Sequence, residues 1–224
     1  TWGGAMHVSD STLTATSVTI SDSYALRHGG AVFLDNSTAS FTDLEIEDPA
    51  GDSTWGGAFY LMDHSQLSID TGEITGCSIA SSGFGGGAIY AEEGSQLELR
   101  DLLIEDCGAY DGGAIGLDAA SATLVAVELE GNSADEDGGA ISLSSSSTLS
   151  CEECSFKDND AGGDGGAVYV DASSSFEDVD GVYAGNSAAG SGGALYLASE
   201  ADLSGCSFDG NSADEGGAIF AREI

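Results

Sequence analysis

The chain predicts an all-β parallel solenoid of about eight coils with three short strands per coil, and three patterns carry that expectation. Nine Gly-Gly-Ala triplets recur, with first glycines at Gly3, Gly29, Gly56, Gly86, Gly112, Gly138, Gly165, Gly192 and Gly216. Their intervals of 24 to 30 residues define a unit too small to bury its own apolar face, which becomes stable when stacked on neighbours. The second pattern is a period of two. In the unit opened by Gly192, Leu195 and Leu197 are two apart, Leu203 follows a polar turn, and Cys206 and Phe208 are again two apart. Strands alternate in this way, whereas a helix needs three- and four-residue spacing. The third pattern is superposition: the positions after each triplet are apolar in every unit, from Met6 and Val8 through Ile115 and Leu117 to Ile219 and Ala221.

Each element follows from local chemistry. The glycine pairs mark a corner where the chain needs positive φ or where a side chain would strike the next coil; the candidates are Gly29, Gly30, Gly56, Gly57, Gly86, Gly112, Gly113, Gly138, Gly139, Gly165, Gly166, Gly192, Gly193, Gly216 and Gly217. The first strand then points two apolar residues inward. Equivalent strands would pair in parallel about 4.8 Å apart, so like side chains stack along a narrow, long core. A later strand repeats the pattern through Val18 and Ile20, Leu44 and Ile46, Cys77 and Ile79, Leu102 and Ile104, and Cys206 and Phe208. Asn132, Asn159, Asn186 and Asn211 follow at one bend, where Asn tolerates the left-handed region and can satisfy unpaired backbone groups. Stacked, these amides form a ladder, weaker in earlier coils where Cys107, Ser81 and Ser23 stand in their place.

Composition restricts the function. Thirty-nine Asp and Glu against four Lys and Arg give a net charge of -35, which repels nucleic acid and anionic membranes. No apolar run approaches the roughly 18 residues of a membrane-spanning helix, so no direct membrane insertion is expected. The chain is read as one solenoid segment over residues 1–224, part of a longer protein, in an extracellular or cell-surface setting. Its five cysteines are too sparse for a dense disulfide framework, and the odd count leaves at least one unpaired. Cys77, Cys154 and Cys206 are placed in one inward column on non-adjacent coils, too far apart to pair with one another. For Cys151 and Cys154, a local disulfide and buried thiols both remain open.

The motifs Gly138-Gly139-Ala140-Ile141 and Gly216-Gly217-Ala218-Ile219, with Phe156-Lys157-Asp158-Asn159 and Phe208-Asp209-Gly210-Asn211, resemble the repeats of the polymorphic outer-membrane protein type. That resemblance implies a right-handed parallel β-helix and a passenger region of a secreted surface protein, often adhesive. The Gly-Gly-Ala element runs through the whole chain, whereas Phe-x-x-Asn is clear in the later half, with Leu129 and Tyr183 replacing Phe in two coils. The chain departs from the family in its acidity and in lacking a membrane-barrel segment.

Function is expected on the surface. The residue between the two inward positions of the first strand points outward, giving a stripe of Phe33, Tyr60, Tyr90, Tyr169, Tyr196 and Phe220 broken at Gly116 and Ser142. Such a stripe suits other protein chains in a fibre or surface assembly, or glycan rings. Acidic residues directly before the glycines, Asp111, Asp137 and Asp164, are candidate calcium ligands, although no EF-hand or nonapeptide calcium repeat is present. Trp2 and Trp55 stand at the same place in their repeats and are expected to pack at a corner. A polysaccharide lyase or hydrolase is the rival class; it would need a distinguished base or carboxylate pair, and Arg27 with His28 is the best local candidate. The expectation is an extracellular structural module without enzyme activity, with a carbohydrate-binding adhesin as the alternative. Two stretches break the period: Asp48 to Thr54, holding the only proline at Pro49, and Ser81 to Gly85.

Overall fold

The computed structural model describes residues 2–51, 55–79 and 85–222. Each coil contributes to three parallel sheets. The first follows the Gly-Gly-Ala corner and contains nine strands stacked in chain order, from Met6–Ser9 through Ile89–Glu92 and Ile141–Ser144 to Ile219–Ala221. The stack has no slippage: Met6 faces Val32, Ile89 faces Ile115 and Val168 faces Leu195. Branched side chains therefore repeat on themselves along the core, as the superposed positions predict.

The second sheet joins two segments that the sequence separates. In the first four coils it is one ten-residue strand per coil, as in Thr38–Glu47 and Gln96–Glu105. In later coils the same length divides in two, as in Ser121–Val125 with Glu128–Glu130. The bend is a single left-handed residue in each coil, among them Asp43 (φ 58°), Ala126 (φ 52°) and Asp180 (φ 58°). This residue resets the alternation, so apolar side chains on both sides of the bend still point inward. The third sheet consists of two-residue strands after the Asn bend, such as Ser133–Ala134 and Asp160–Ala161.

The interior is one continuous apolar cluster running from Ile20 to Leu197, with Phe41, Phe59, Phe156 and Tyr183 as its largest fully buried side chains. One expected position is corrected. Cys77 does not share the column of Cys154 and Cys206. Gln66–Thr75 pairs residue for residue with Thr38–Glu47 and Gln96–Glu105, placing Gly72 opposite Leu44 and Leu102, and Ile74 opposite Ile46 and Ile104. Unbroken pairing keeps extra residues out of the strand. Cys77 consequently lies at the following bend, next to Cys107, because Gly108 faces Ser78. The ladder position assigned to Ser81, and residues 52–54 and 81–84 of the two period-breaking stretches, lie outside the described residues.

Candidate functional surface: stacked columns at the coil corners

The two glycines of each triplet answer different demands. Gly138 has φ 70°, and a Cβ there would lie 2.3 Å from its own Ile141 carbonyl oxygen. Gly139 faces the next coil, where a Cβ would lie 2.1 Å from the Gly166 carbonyl oxygen. The first glycine makes the turn and the second allows coils to approach. Each approach carries a backbone bond, such as Gly139 N donating to Gly165 O at 3.0 Å.

The four asparagines are buried or nearly so and join in one direction. Asn132 Nδ2 donates to Asn159 Oδ1 (3.1 Å), Asn159 Nδ2 to Asn186 Oδ1 (2.9 Å), and Asn186 Nδ2 to Asn211 Oδ1 (2.9 Å). The second Nδ2 proton reaches a carbonyl: that of Ile104 from Asn132, and that of Leu129 from Asn159. Each Oδ1 also receives the backbone N–H of the preceding ladder residue, at 3.0 Å in each case. Cys107 ends the run, its N–H donating to Asn132 Oδ1 at 3.0 Å. In the first coil the buried Ser23 hydroxyl has no partner.

The residue before the glycines forms a second column that changes chemistry along the rod. At one end it is aromatic: Trp2 pairs with His28, whose ring lies 4.9 Å from Trp2, 5.4 Å from Trp55 and 4.8 Å from Tyr60. Trp2 and Trp55 are thus joined through His28. Burial, then the nearby Arg27 charge, pushes the His28 pKa down, so the neutral ring is favoured, and its Nδ1 has no partner. In later coils the column is acidic. Asp111 Oδ1 accepts the N–H of Asp137 (3.1 Å), Asp137 Oδ1 that of Asp164 (2.8 Å), and Asp164 Oδ1 that of Ser191 (2.6 Å). These carboxylates cap the next coil. A calcium ion there would share oxygens already held by N–H groups, and among the described residues no three His, Cys, Asp or Glu side chains stand together to hold a metal ion. Burial pushes Asp137 up to about 6 despite its hydrogen bond, with Asp111 and Asp164 adding repulsion.

The structure corrects the exposure expected of the outward aromatic stripe. Phe33, Tyr60 and Tyr90 are only 2%, 3% and 3% exposed. Their rings stack at 5.4 and 5.8 Å and, with Trp55 and Met62 packed against them, form a small apolar cluster outside the main core. Ring faces are therefore occupied by other rings. Tyr60 donates to Glu92 and Tyr90 to Asp118, both on later coils, and burial raises both phenol pKa values. The second patch stacks Tyr169 on Tyr196 (5.0 Å) and Tyr196 on Phe220 (5.4 Å), with the Arg222 guanidinium 5.7 Å from the Tyr196 ring centre. Tyr169 and Phe220 keep partial exposure.

Two features lie outside the periodic signal. Asp178 is fully buried in the core column between Cys151 and Leu203. Gly181 makes room for it, since a Cβ there would meet Asp178 Oδ2 at 1.9 Å. Oδ2 accepts Tyr183 OH (2.7 Å) and the Cys206 thiol (3.2 Å), Oδ1 has no partner, and burial pushes the carboxyl pKa up. A glycine in an apolar column is the sequence signal that would have found it. The other feature is a shallow surface groove of about 400 Å³ on the second sheet, lined by Thr123, Thr148, Ser150, Ser175, Glu177 and Asp202 among others. Outward Ser and Thr residues of successive strands line up there through register.

A parallel β-solenoid whose polar and aromatic side chains bind neighbouring coils is the class this geometry defines. The chain belongs to the family described as the right handed beta helix region, whose model matches residues 3–221, so the solenoid is a right-handed parallel β-helix. No curated protein and no solved structure gives a significant match.

Proposed function

We propose that the chain is an extracellular structural module of a surface or filament-forming protein, in which a stiff rod fixes length and presents a regular lateral surface. The observation that carries this reading is where the reactive groups go. The pre-glycine carboxylates cap backbone N–H groups of the next coil, the asparagines bond one another, and the stripe tyrosines hydrogen-bond to carboxylates of later coils. A surface whose side chains serve inter-coil stacking favours a mechanical over a catalytic role. The Gly-Gly-Ala-Ile and Phe-x-x-Asn resemblance to polymorphic outer-membrane repeats supports the same setting. Electron microscopy and sedimentation of the protein, over a range of salt and divalent cation concentrations, test the reading. Ordered end-to-end or lateral polymers support it, and isolated rods under every condition overturn it.

The groove on the second sheet favours a second reading, adhesion to carbohydrate. Its hydroxyl groups and sparse carboxylates match sugar hydroxyls, and partly exposed Tyr169 and Phe220 offer ring surface on the neighbouring sheet. Binding of neutral oligosaccharides that is lost on Thr148→Ala with Ser150→Ala would place adhesion ahead of assembly.

A further inference from the structure

The five thiols resolve into two side-chain pairs and one single. All five are free thiols: Cys77 neighbours Cys107 across one coil step, Cys151 and Cys154 stand three residues apart on one coil, and Cys206 donates to Asp178. The first pair differs from the second in joining two coils. We propose that Cys77 and Cys107 form a disulfide that staples the third coil to the fourth.

Register carries the argument. Gly108 N donates to Cys77 O at 2.8 Å and Gly108 faces Ser78, which puts Cys107 beside Cys77 at the bends that lead into adjacent parallel strands. Neighbouring strands stand about 4.8 Å apart, inside the roughly 4.4–6.8 Å Cα separation of disulfides. Both residues are 1% exposed. The two sulfurs also point alike, Cys107 Sγ towards Glu105 O (3.4 Å) and Cys77 Sγ towards Thr75 O (4.0 Å).

The location gives the staple a purpose. Here Ser78–Ile79 meets Gly108–Ala109 in the third sheet, with Gly108 opposite Ser78. The Asn ladder also stops at Cys107. The disulfide thus continues covalently the column in which buried amides give out.

The chemistry needs an oxidant, and a small-molecule disulfide of the glutathione type supplies it. The thiolate of one cysteine attacks a sulfur of the oxidised molecule and releases one reduced thiol. The second cysteine then attacks the protein sulfur of the mixed disulfide and releases the other. Two protein thiols are oxidised, one small disulfide is reduced, and both protons end on the released thiols. Attack requires a thiolate, and burial together with Cys107 raises the Cys77 pKa, so exchange proceeds while the chain folds, before the coils close.

The test is to unfold the reduced protein and refold it with oxidised and reduced glutathione, or with reduced glutathione alone. Remaining thiols are alkylated in denaturant and peptides mapped by mass spectrometry. The expected result is a Cys77–Cys107 linked peptide with Cys206 alkylated, and a urea midpoint above that of the reduced protein. Cys107→Ser should abolish this midpoint difference, and Cys206→Ser should keep it. Alkylation of both Cys77 and Cys107 after oxidative refolding, or a link from Cys107 to another cysteine, overturns the proposal; this mapping needs no variant to fold.

Discussion

The two ends of the rod solve one corner with different chemistry. In the first coils the residue before Gly-Gly is a ring, Trp2, His28 or Trp55, and the bend that later holds Asn is occupied by Ser23 or Cys77. From Asp111 onward the same column is mainly acidic, and the bend holds the amide ladder from Asn132 to Asn211. The backbone path is shared, with the Gly3 and Gly138 corners both left-handed at φ 62° and 70°. A β-helix corner thus demands glycine geometry and a filled, satisfied neighbourhood, and leaves the filler open. Stacked rings meet that demand through dispersion and apolar burial, which tolerate change. A buried amide ladder meets it through complete hydrogen bonding, which does not.

The largest effect tests what the halves share. Gly139→Val places a side chain 2.1 Å from the Gly166 carbonyl, and Gly30→Val one 2.0 Å from that of Gly57. Both should lose more than about 3 kcal/mol in urea titration, because backbone must move in either case. A tolerated Gly30→Val with a damaging Gly139→Val would show that the halves stack differently after all.

Next comes what they do not share. Asn159→Ala removes a side chain that binds the Leu129 carbonyl, Asn186 and Asn132, and should cost roughly 2–4 kcal/mol through buried groups left unpaired. Ser23→Ala, at the same bend but with a hydroxyl lacking any partner, should change stability by less than about 0.5 kcal/mol. Similar losses from the two would remove the distinction.

A smaller effect than the loss of the ladder depends on pH. Asp137 has a folded pKa of about 6 against an ordinary value of 3.8. Between those values the folded chain binds more protons than the unfolded one, so this residue's contribution is full below about pH 4 and is lost as pH rises through 6. Asp137→Asn keeps an oxygen for the Asp164 N–H, should flatten that slope, and should stabilise the protein at pH 7 by about 1 kcal/mol after allowance for solvent contact. Thermal melts from pH 4 to 8 measure it, and the aromatic end has no equivalent carboxylate before its glycines.

Features that recur in each unit were legible in the sequence. The inward pairs such as Ile141 and Leu143, the glycine corners and the four asparagines repeat at fixed offsets, and fixed offsets become stacking when strands pair in parallel. What depended on register across an irregular interval was not. Cys77 lay beyond reach because the residues that lengthen its repeat fall after Ile79, and only strand pairing reveals which side of the insertion it occupies. Alternation gives the stripe rings their outward direction, whereas the burial of Phe33, Tyr60 and Tyr90 depends on rings stacked from other coils and not on alternation. Asp178 breaks the periodic pattern, and its one trace in the sequence is Gly181, a glycine in an apolar column on the far side of a bend.

The coil spacing turns the acidic composition into a property of the rod as a whole. Thirty-five net negative charges fall along eight coil-to-coil steps of about 4.8 Å, or about one charge per ångström of axis, denser than the one per roughly 1.7 Å of duplex DNA. At that linear density the helix is a polyelectrolyte that gathers its own counterion sheath. Two such rods lie side by side only when cations are confined between them, so ionic strength and valence set their separation.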